Sequence, residues 1–447
     1  MENCSDDRIM HMTTEGGRAD QNSLRREVGP LGVAATTINI VMGSGLFIIP
    51  ATLGAVGGWA PVVIIACGIV MAAVTLCFAE SSSRVPTVGG AYGFVGEALG
   101  PTAASIVGGQ IWVSATFAGG AILSAAMAQV APLAPMLGTG IGRAIVILSI
   151  CTAFAAIARL GAWESARAVE VTIVLKIAPL LLFVAIVAFA QAAPPTLPQA
   201  FDLTRTAPLL VIGIYLFAGL ESAMGINGEV RDPTRSLPIG LFAAIGIFAA
   251  LAISIQFVAQ HALGAALPTS AAPLVEAGNR ANCWLGPVMA ATAIVSMLGC
   301  VFGLAINTPR TIFALARDGM LPAILGRIDP KRETPVPAIL LNATIFAVLA
   351  ISGEFGPLAT IATLASMSVY VLGCIATLVL RRRGVATAGP VIAWPITPLA
   401  AIVGIVANIA IIASSQTSEI LGLLGSIILF ALLAWFARRP VRAAVAS

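Results

Sequence analysis

A chain of 447 residues that is 58% hydrophobic and only 10% charged is incompatible with a water-soluble fold, which carries about 25% charged residues. The net charge of +4 is spread over short loops and forms no basic patch, so a nucleic-acid surface is excluded as well. The cysteines show no paired metal-ligand spacing, and His11 and His261 cannot assemble a zinc cluster or a Ser-His-Asp arrangement, so no catalytic residue, metal or cofactor is expected.

Residues 1–27 are polar with no apolar run and read as a disordered cytoplasmic tail, not a cleavable signal peptide. Beyond them, about a dozen stretches approach the roughly 20 apolar residues a helix needs to cross a bilayer. They fall near 31–56, 59–80, 102–133, 141–160, 168–190, 207–228, 237–260, 284–309, 337–352, 357–380, 391–413 and 419–436. With the N-terminus in the cytoplasm, only Arg143, Arg205 and Arg280 fall outside, and Lys176 lies within the membrane. The positive-inside rule then puts both termini in the cytoplasm and favours an even number of spans. The expected class is an all-α, multi-pass membrane protein.

The first stretch contains Gly43-Ser44-Gly45. Two glycines let the backbone bend and approach a ligand, although Gly-x-Gly also serves as a small-residue packing face. Non-helical backbone at bilayer depth is tolerated only where protein or a polar cavity satisfies it. A second half-helix past such a break presents N–H groups and a positive dipole end to a carboxylate.

Lys176 stands alone in the apolar fifth stretch, where a central lysine costs about 2.5–3.5 kcal/mol. Snorkelling is the bland account. Yet Lys176 lies nine residues from Arg167, a rise of about 13 Å, which is more than its stem comfortably spans.

The sixth stretch holds the second interruption, Phe217-Ala218-Gly219, followed by Glu221. Paired breaks in two five-helix halves are the mark of an inverted repeat. Carbonyls of Phe217 and Ala218 would accept from an ammonium group while the first break holds a carboxylate, a combination that suits a zwitterionic α-amino acid. Glu221 is read as a cap on the second half-helix or as a titrating group. Glu80 and Arg84, four apart, are read as a surface ion pair or part of an inner gate, and Arg310, Arg317 and Asp318 as loop and gate contacts. The run Arg381-Arg382-Arg383 is read as a topological anchor.

These features resemble the amino acid-polyamine-organocation superfamily. The resemblance is carried by Gly43-Ser44-Gly45, Pro86-x-x-Gly89-Gly90-x-Tyr92, Phe217-x-Gly219-x-Glu221-Ser222, Arg317-Asp318-Gly319-Met320-Leu321-Pro322 and Thr334-Pro335-Val336-Pro337, in that order over nearly the whole chain. It implies the LeuT-type fold: a first repeat over 28–200, a second over 201–383, and two added helices with a short C-terminus over 384–447. The pattern is similar to the arginine/agmatine antiporters and to their proton-coupled neutral amino acid relatives.

By that similarity the substrate lies between spans one, three, six, eight and ten, with Ile40, Val41, Gly43, Ser44, Gly45, Ser114, Tyr215, Phe217, Ala218, Gly219 and Leu304 around it. Tyr215 and Leu304 stand where the antiporters place two tryptophans against a cationic side chain. Losing those contacts, which contribute about 2 kcal/mol when desolvated, argues against arginine and for a neutral amino acid. Ser114, Ala115 and Gly119 are expected on the opposite wall, and Phe217 resembles the family's aromatic gate.

The resemblance also assigns Lys176 to the site that sodium-coupled members fill with sodium. There its ammonium would bridge carbonyls near Ile40 and Val41 to Ser296 or Cys300, and its charge would bias alternating access. The expected partners are an amino acid, protons and the lipid bilayer of a bacterial inner membrane, with the chain a monomer or homodimer. An exchanger without proton coupling and a non-transporting amino acid sensor are the alternatives.

Overall fold

The computed structural model describes residues 29–85, 90–131, 134–138, 140–160, 166–190, 202–219, 230, 233–329, 332, 334–387 and 391–437. In chain order the helices are α1 (Pro30–Val41), α2 (Gly45–Gly54), α3 (Ala60–Arg84), α4 (Ala91–Leu99), α5 (Pro101–Val130), α6 (Pro135–Gly138), α7 (Gly140–Arg159) and α8 (Ala166–Val187). They continue as α9 (Leu203–Leu216), α10 (Pro233–Leu263), α11 (Pro273–Ala281), α12 (Leu285–Arg317), α13 (Val336–Ser352), α14 (Phe355–Arg383), α15 (Thr397–Ala413) and α16 (Thr417–Ala437).

Each apolar stretch of the sequence carries a helix. Among the described residues, seven helices are long and apolar enough to cross a membrane, or eight with the bent pair α1 and α2 counted as one span. Four further apolar helices are shorter: Val174–Val187, Thr206–Leu216, Val336–Ser352 and Thr397–Ala413. The chain is therefore a helical, multi-pass membrane protein. Two short helices, α4 and α11, escape a hydropathy reading because nine residues are too few to form an apolar run. Tyr92 sits in the first turn of α4.

Local chemistry sets the helix ends. Pro30, Pro101 and Pro273 occupy first-turn positions, where the missing N–H has no intrahelical partner to lose. Gly384, at φ +65°, ends α14 by returning its N–H to the carbonyls of Leu380 and Arg381, a left-handed turn that glycine adopts without steric cost.

Helix α5 runs through the middle, against α4, α12, α13, α14 and α16. Lipid tails supply no hydrophobic drive between helices, so close approach depends on small residues. A Cβ on Gly109 would lie 2.2 Å from the Phe430 ring on α16, and one on Gly119 would lie 2.5 Å from Phe346 on α13. Gly119 therefore faces α13, not the substrate-side wall expected from sequence; the phase of a helix decides which neighbour a small residue admits. The outer surfaces of α15 and α16 expose apolar side chains such as Val406 and Leu421, as lipid-facing helices do.

Candidate functional site

The first break bends α1 against α2 by 60°. Helix α1 stops at Val41, Met42 leaves helical geometry at φ −76° and ψ 65°, and the Gly43 N–H turns back to the Val41 carbonyl at 2.8 Å. The last carbonyls of α1 thereby lose intrahelical partners and need donors. Two neighbouring helices provide them. Ser296 on α12 donates to the Met42 carbonyl at 2.8 Å, and the Lys176 ammonium on α8 reaches the same oxygen at 3.5 Å and the Asn39 carbonyl at 3.4 Å.

The oxygens that receive Lys176 belong to Asn39 and Met42, the residues on either side of Ile40 and Val41, near which the sequence reading puts them. Lys176 is only 2% exposed, enclosed by the surrounding helices. Cys300, one turn beyond Ser296, packs instead of donating: its Sγ lies 3.3 Å from where a Cβ on Gly43 would stand.

At the second break α9 stops at Leu216, and Phe217, Ala218 and Gly219 form a turn whose N–H groups at 217 and 218 return to Ile214 and Tyr215 at 3.0 and 3.1 Å. Gly219 has φ +104°, a conformation L side chains rarely adopt. Glu221 lies outside the described residues. The two breaks face each other: a Cβ on Gly219 would be 3.0 Å from Ile40 Cγ2, and one on Gly45 would be 3.2 Å from Leu216. Ser44 Oγ and the Tyr215 hydroxyl are 3.1 Å apart, tying one break to the other.

Phe217 does not lie over this junction. Its ring is fully buried against Gly68 of α3 and edge-on to Phe248 of α10, at 5.6 Å between centroids. The aromatic beside the breaks is Tyr215, edge-on to Phe355 at 5.6 Å. The sequence reading places Tyr215 beside the substrate and in the position of a lost stacking surface; the hydrogen bond of its hydroxyl to Ser44 is not part of that reading. Ser114 and Ser366 share a hydrogen bond of 2.6 Å between α5 and α14, and Leu304 is half-buried against the core; no contact joins these residues to the breaks among the described ones.

A second polar cluster closes the ends of α3 and α14. Glu80 is fully buried, which rules out a surface ion pair. Arg84 donates to its Oε1 at 2.7 Å, and Arg381 donates to Oε2 at 2.9 Å. The same arginines bond the Val385 and Trp394 carbonyls, so the cluster also holds the segment leading to α15. Arg381 is therefore an ion-pair partner as well as part of a basic run. Nearby, the Tyr92 hydroxyl donates to Asp318, and Arg317 lies 5.7 Å over the Phe313 ring. Removing one partner of a buried cluster strands the other charges. Glu80→Gln is thus expected to cost about 3–5 kcal/mol and lower the Tm of the detergent-solubilised protein by several degrees; an unchanged Tm would show that the cluster carries no stability.

Comparison with known proteins agrees with this architecture. The chain is 26% identical over 392 residues to the branched-chain amino acid permease BcaP of Bacillus subtilis (strain 168), covering 81% of this chain and 82% of that one. It is 24% identical over 399 residues to the methylthioribose transporter of the same organism, covering 83% and 85%. To that organism's serine/threonine exchanger SteT it is 25% identical over 405 residues, covering 86% and 90%. The family described as amino acid permease matches residues 28–439, which takes in both breaks, Lys176 and the Glu80 cluster, and the chain belongs to that family.

Proposed function

We propose that the chain is a secondary active carrier of a neutral α-amino acid, sodium-independent and proton-coupled, working by alternating access. The observation that carries this is the apposition of the two breaks. Helix α2 starts with N–H groups that have no intrahelical partner, suited to a carboxylate, and α9 ends opposite with carbonyls suited to an ammonium group. Ser114, Tyr215 and Leu304 line the rest without a charged group, which favours an uncharged side chain, as do the substrates named for two of the relatives.

Lys176 is the coupling group in this scheme. Charged, it fastens the end of α1 to α8; neutral, it releases the carbonyls and lets α1 move against α12. Ser296 and Cys300 keep the packing on that side. Glu80, Arg84, Arg317 and Asp318 belong to the closure on the basic side. The architecture proposed is twelve spans in a five-plus-five inverted repeat over 28–200 and 201–383, with two added helices over 384–447. Both ends, including the 1–27 tail, lie in the cytoplasm of a bacterial inner membrane.

Uptake of labelled L-leucine and L-serine into proteoliposomes tests this, with and without an inward proton gradient, sodium and internal amino acid. Accumulation driven by the proton gradient and indifferent to sodium is the expected result. Uptake that requires internal amino acid and ignores the gradient would replace symport by exchange, the second reading, which the similarity to an exchanger favours. Binding without flux in any mode would make the chain a sensor and contradict the carrier.

A further inference from the structure

Round α12 from Ser296 and Cys300, which face the first break, a cavity of about 10 Å³ lies between α7, α12 and α13. Cys151 and Phe154 of α7, Val301 and Ala305 of α12, and Asn342 and Phe346 of α13 are among the residues around it. Apolar walls alone would make it an ordinary packing gap, of the kind that stays dry. Asn342 changes its character. The side chain is 1% exposed, and among the described residues its Oδ1 has no hydrogen-bond partner. Leaving a buried amide unpartnered is costly, and more so within a bilayer, where no bulk water can enter.

Helix α12 supplies a second group in the same condition. Pro309 lies inside it and has no N–H, so the carbonyl four residues earlier, on Ala305, lacks its i+4 helix donor. Ala305 is on the cavity wall. Thr308, seven residues on from Val301 and so on the same helix face, is 2% exposed, and its Oγ1 also has no partner among the described residues. From the cavity, the unpartnered amide and the proline-freed carbonyl we infer that this is a binding site for one ordered water. The water donates one hydrogen to Asn342 Oδ1 and the other to the Ala305 carbonyl, and accepts from the Cys151 thiol or the Thr308 hydroxyl. Size and charge both select it. The space matches the roughly 10–15 Å³ that a single water needs and is too small for a metabolite or an acyl chain. Two acceptors call for a molecule with two hydrogens to give, and among the described residues no acidic side chain lines the cavity to balance a cation. Bound there, the water ties α12 to α13 and braces from behind the helix whose Ser296 holds the Met42 carbonyl.

The test is an experimental structure of the full-length protein, resolved finely enough to show ordered waters, together with Asn342→Leu, Pro309→Ala and the double variant. In the wild type, a density peak within hydrogen-bond distance of both Asn342 Oδ1 and the Ala305 carbonyl is expected. Asn342→Leu fills the space, expels the water and strands that carbonyl, so the Tm in detergent is expected to fall. Pro309→Ala gives the carbonyl a donor from its own helix. In that background Asn342→Leu is therefore expected to lower the Tm by a few degrees less than it does in the wild type. A cavity without density, a direct bond from the Asn342 amide to the Ala305 carbonyl, or the same fall in Tm in both backgrounds would overturn the site. Should the double variant fail to fold, the wild-type density still decides, and neither measurement depends on which substrate the protein carries.

Discussion

Lys176→Ala is expected to reduce proton-driven accumulation of substrate at least tenfold while counterflow between equal internal and external substrate is largely kept. The alanine removes the one described cation within reach of the Asn39 and Met42 carbonyls. Met42 retains Ser296 at 2.8 Å, but the Asn39 carbonyl loses a buried donor, a loss of about 1–3 kcal/mol. With no charge to add or remove, the end of α1 has no proton-dependent hold on α8, and the gradient has nothing to act on. Lys176→Arg separates charge from protonation, because a guanidinium stays ionised at any working pH. It is expected to bind substrate and fail to accumulate it. Full accumulation by Lys176→Ala in proteoliposomes would dismiss the coupling role and leave Lys176 a structural donor.

Gly219→Val is expected to abolish transport in a protein that still reaches the membrane. Two independent effects act at this position. A φ of +104° strains any L side chain, and especially a β-branched one, by about 1–3 kcal/mol. Its Cβ would also stand 3.0 Å from Ile40 Cγ2, forcing the two breaks apart. Separation by even a fraction of an ångström disturbs Ser44 and Tyr215, whose hydroxyls meet at 3.1 Å. Gly219→Ala keeps the strain with a smaller side chain and is expected to retain a few per cent of wild-type uptake. Membrane-fraction immunoblots beside the uptake assay distinguish lost transport from lost protein, and wild-type rates for Gly219→Val would show that the close approach is dispensable.

What could be read from the chain without its fold depended on whether the signal was local. The helical class follows from hydropathy, which is a property of neighbouring residues. The bend at Gly43-Ser44-Gly45 follows from glycine chemistry within three positions. Lys176 announced itself because a lone ammonium in an apolar run is costly wherever it points. The elements that stayed hidden depend on helix phase or on long-range pairing. Which oxygens near Ile40 and Val41 receive Lys176, those of Asn39 and Met42, depends on how the chain leaves the helix at Met42. Gly119 turns to Phe346 and Phe217 turns to Phe248, since a residue's depth in a helix does not give its azimuth. The Glu80–Arg381 pair joins positions 301 apart, a separation at which no local pattern speaks. Sequence spacing showed Arg84 as the i+4 partner and could not show that a second arginine completes a buried cluster.

In the proposed carrier the facing breaks hold the two charged ends of one α-amino acid. Thermal stabilisation of the purified protein by L-leucine, by 3-methylbutylamine and by 4-methylpentanoate tests it most directly, because a ligand that binds only the folded state raises stability in proportion to the logarithm of its concentration over Kd. The side chain is the same in all three probes, and only the ammonium or the carboxylate is missing. A clear rise in Tm with L-leucine is expected, at least tenfold more sensitive to concentration than with either half-molecule. Equal stabilisation by the amine or the acid alone would contradict it, since one break would then suffice.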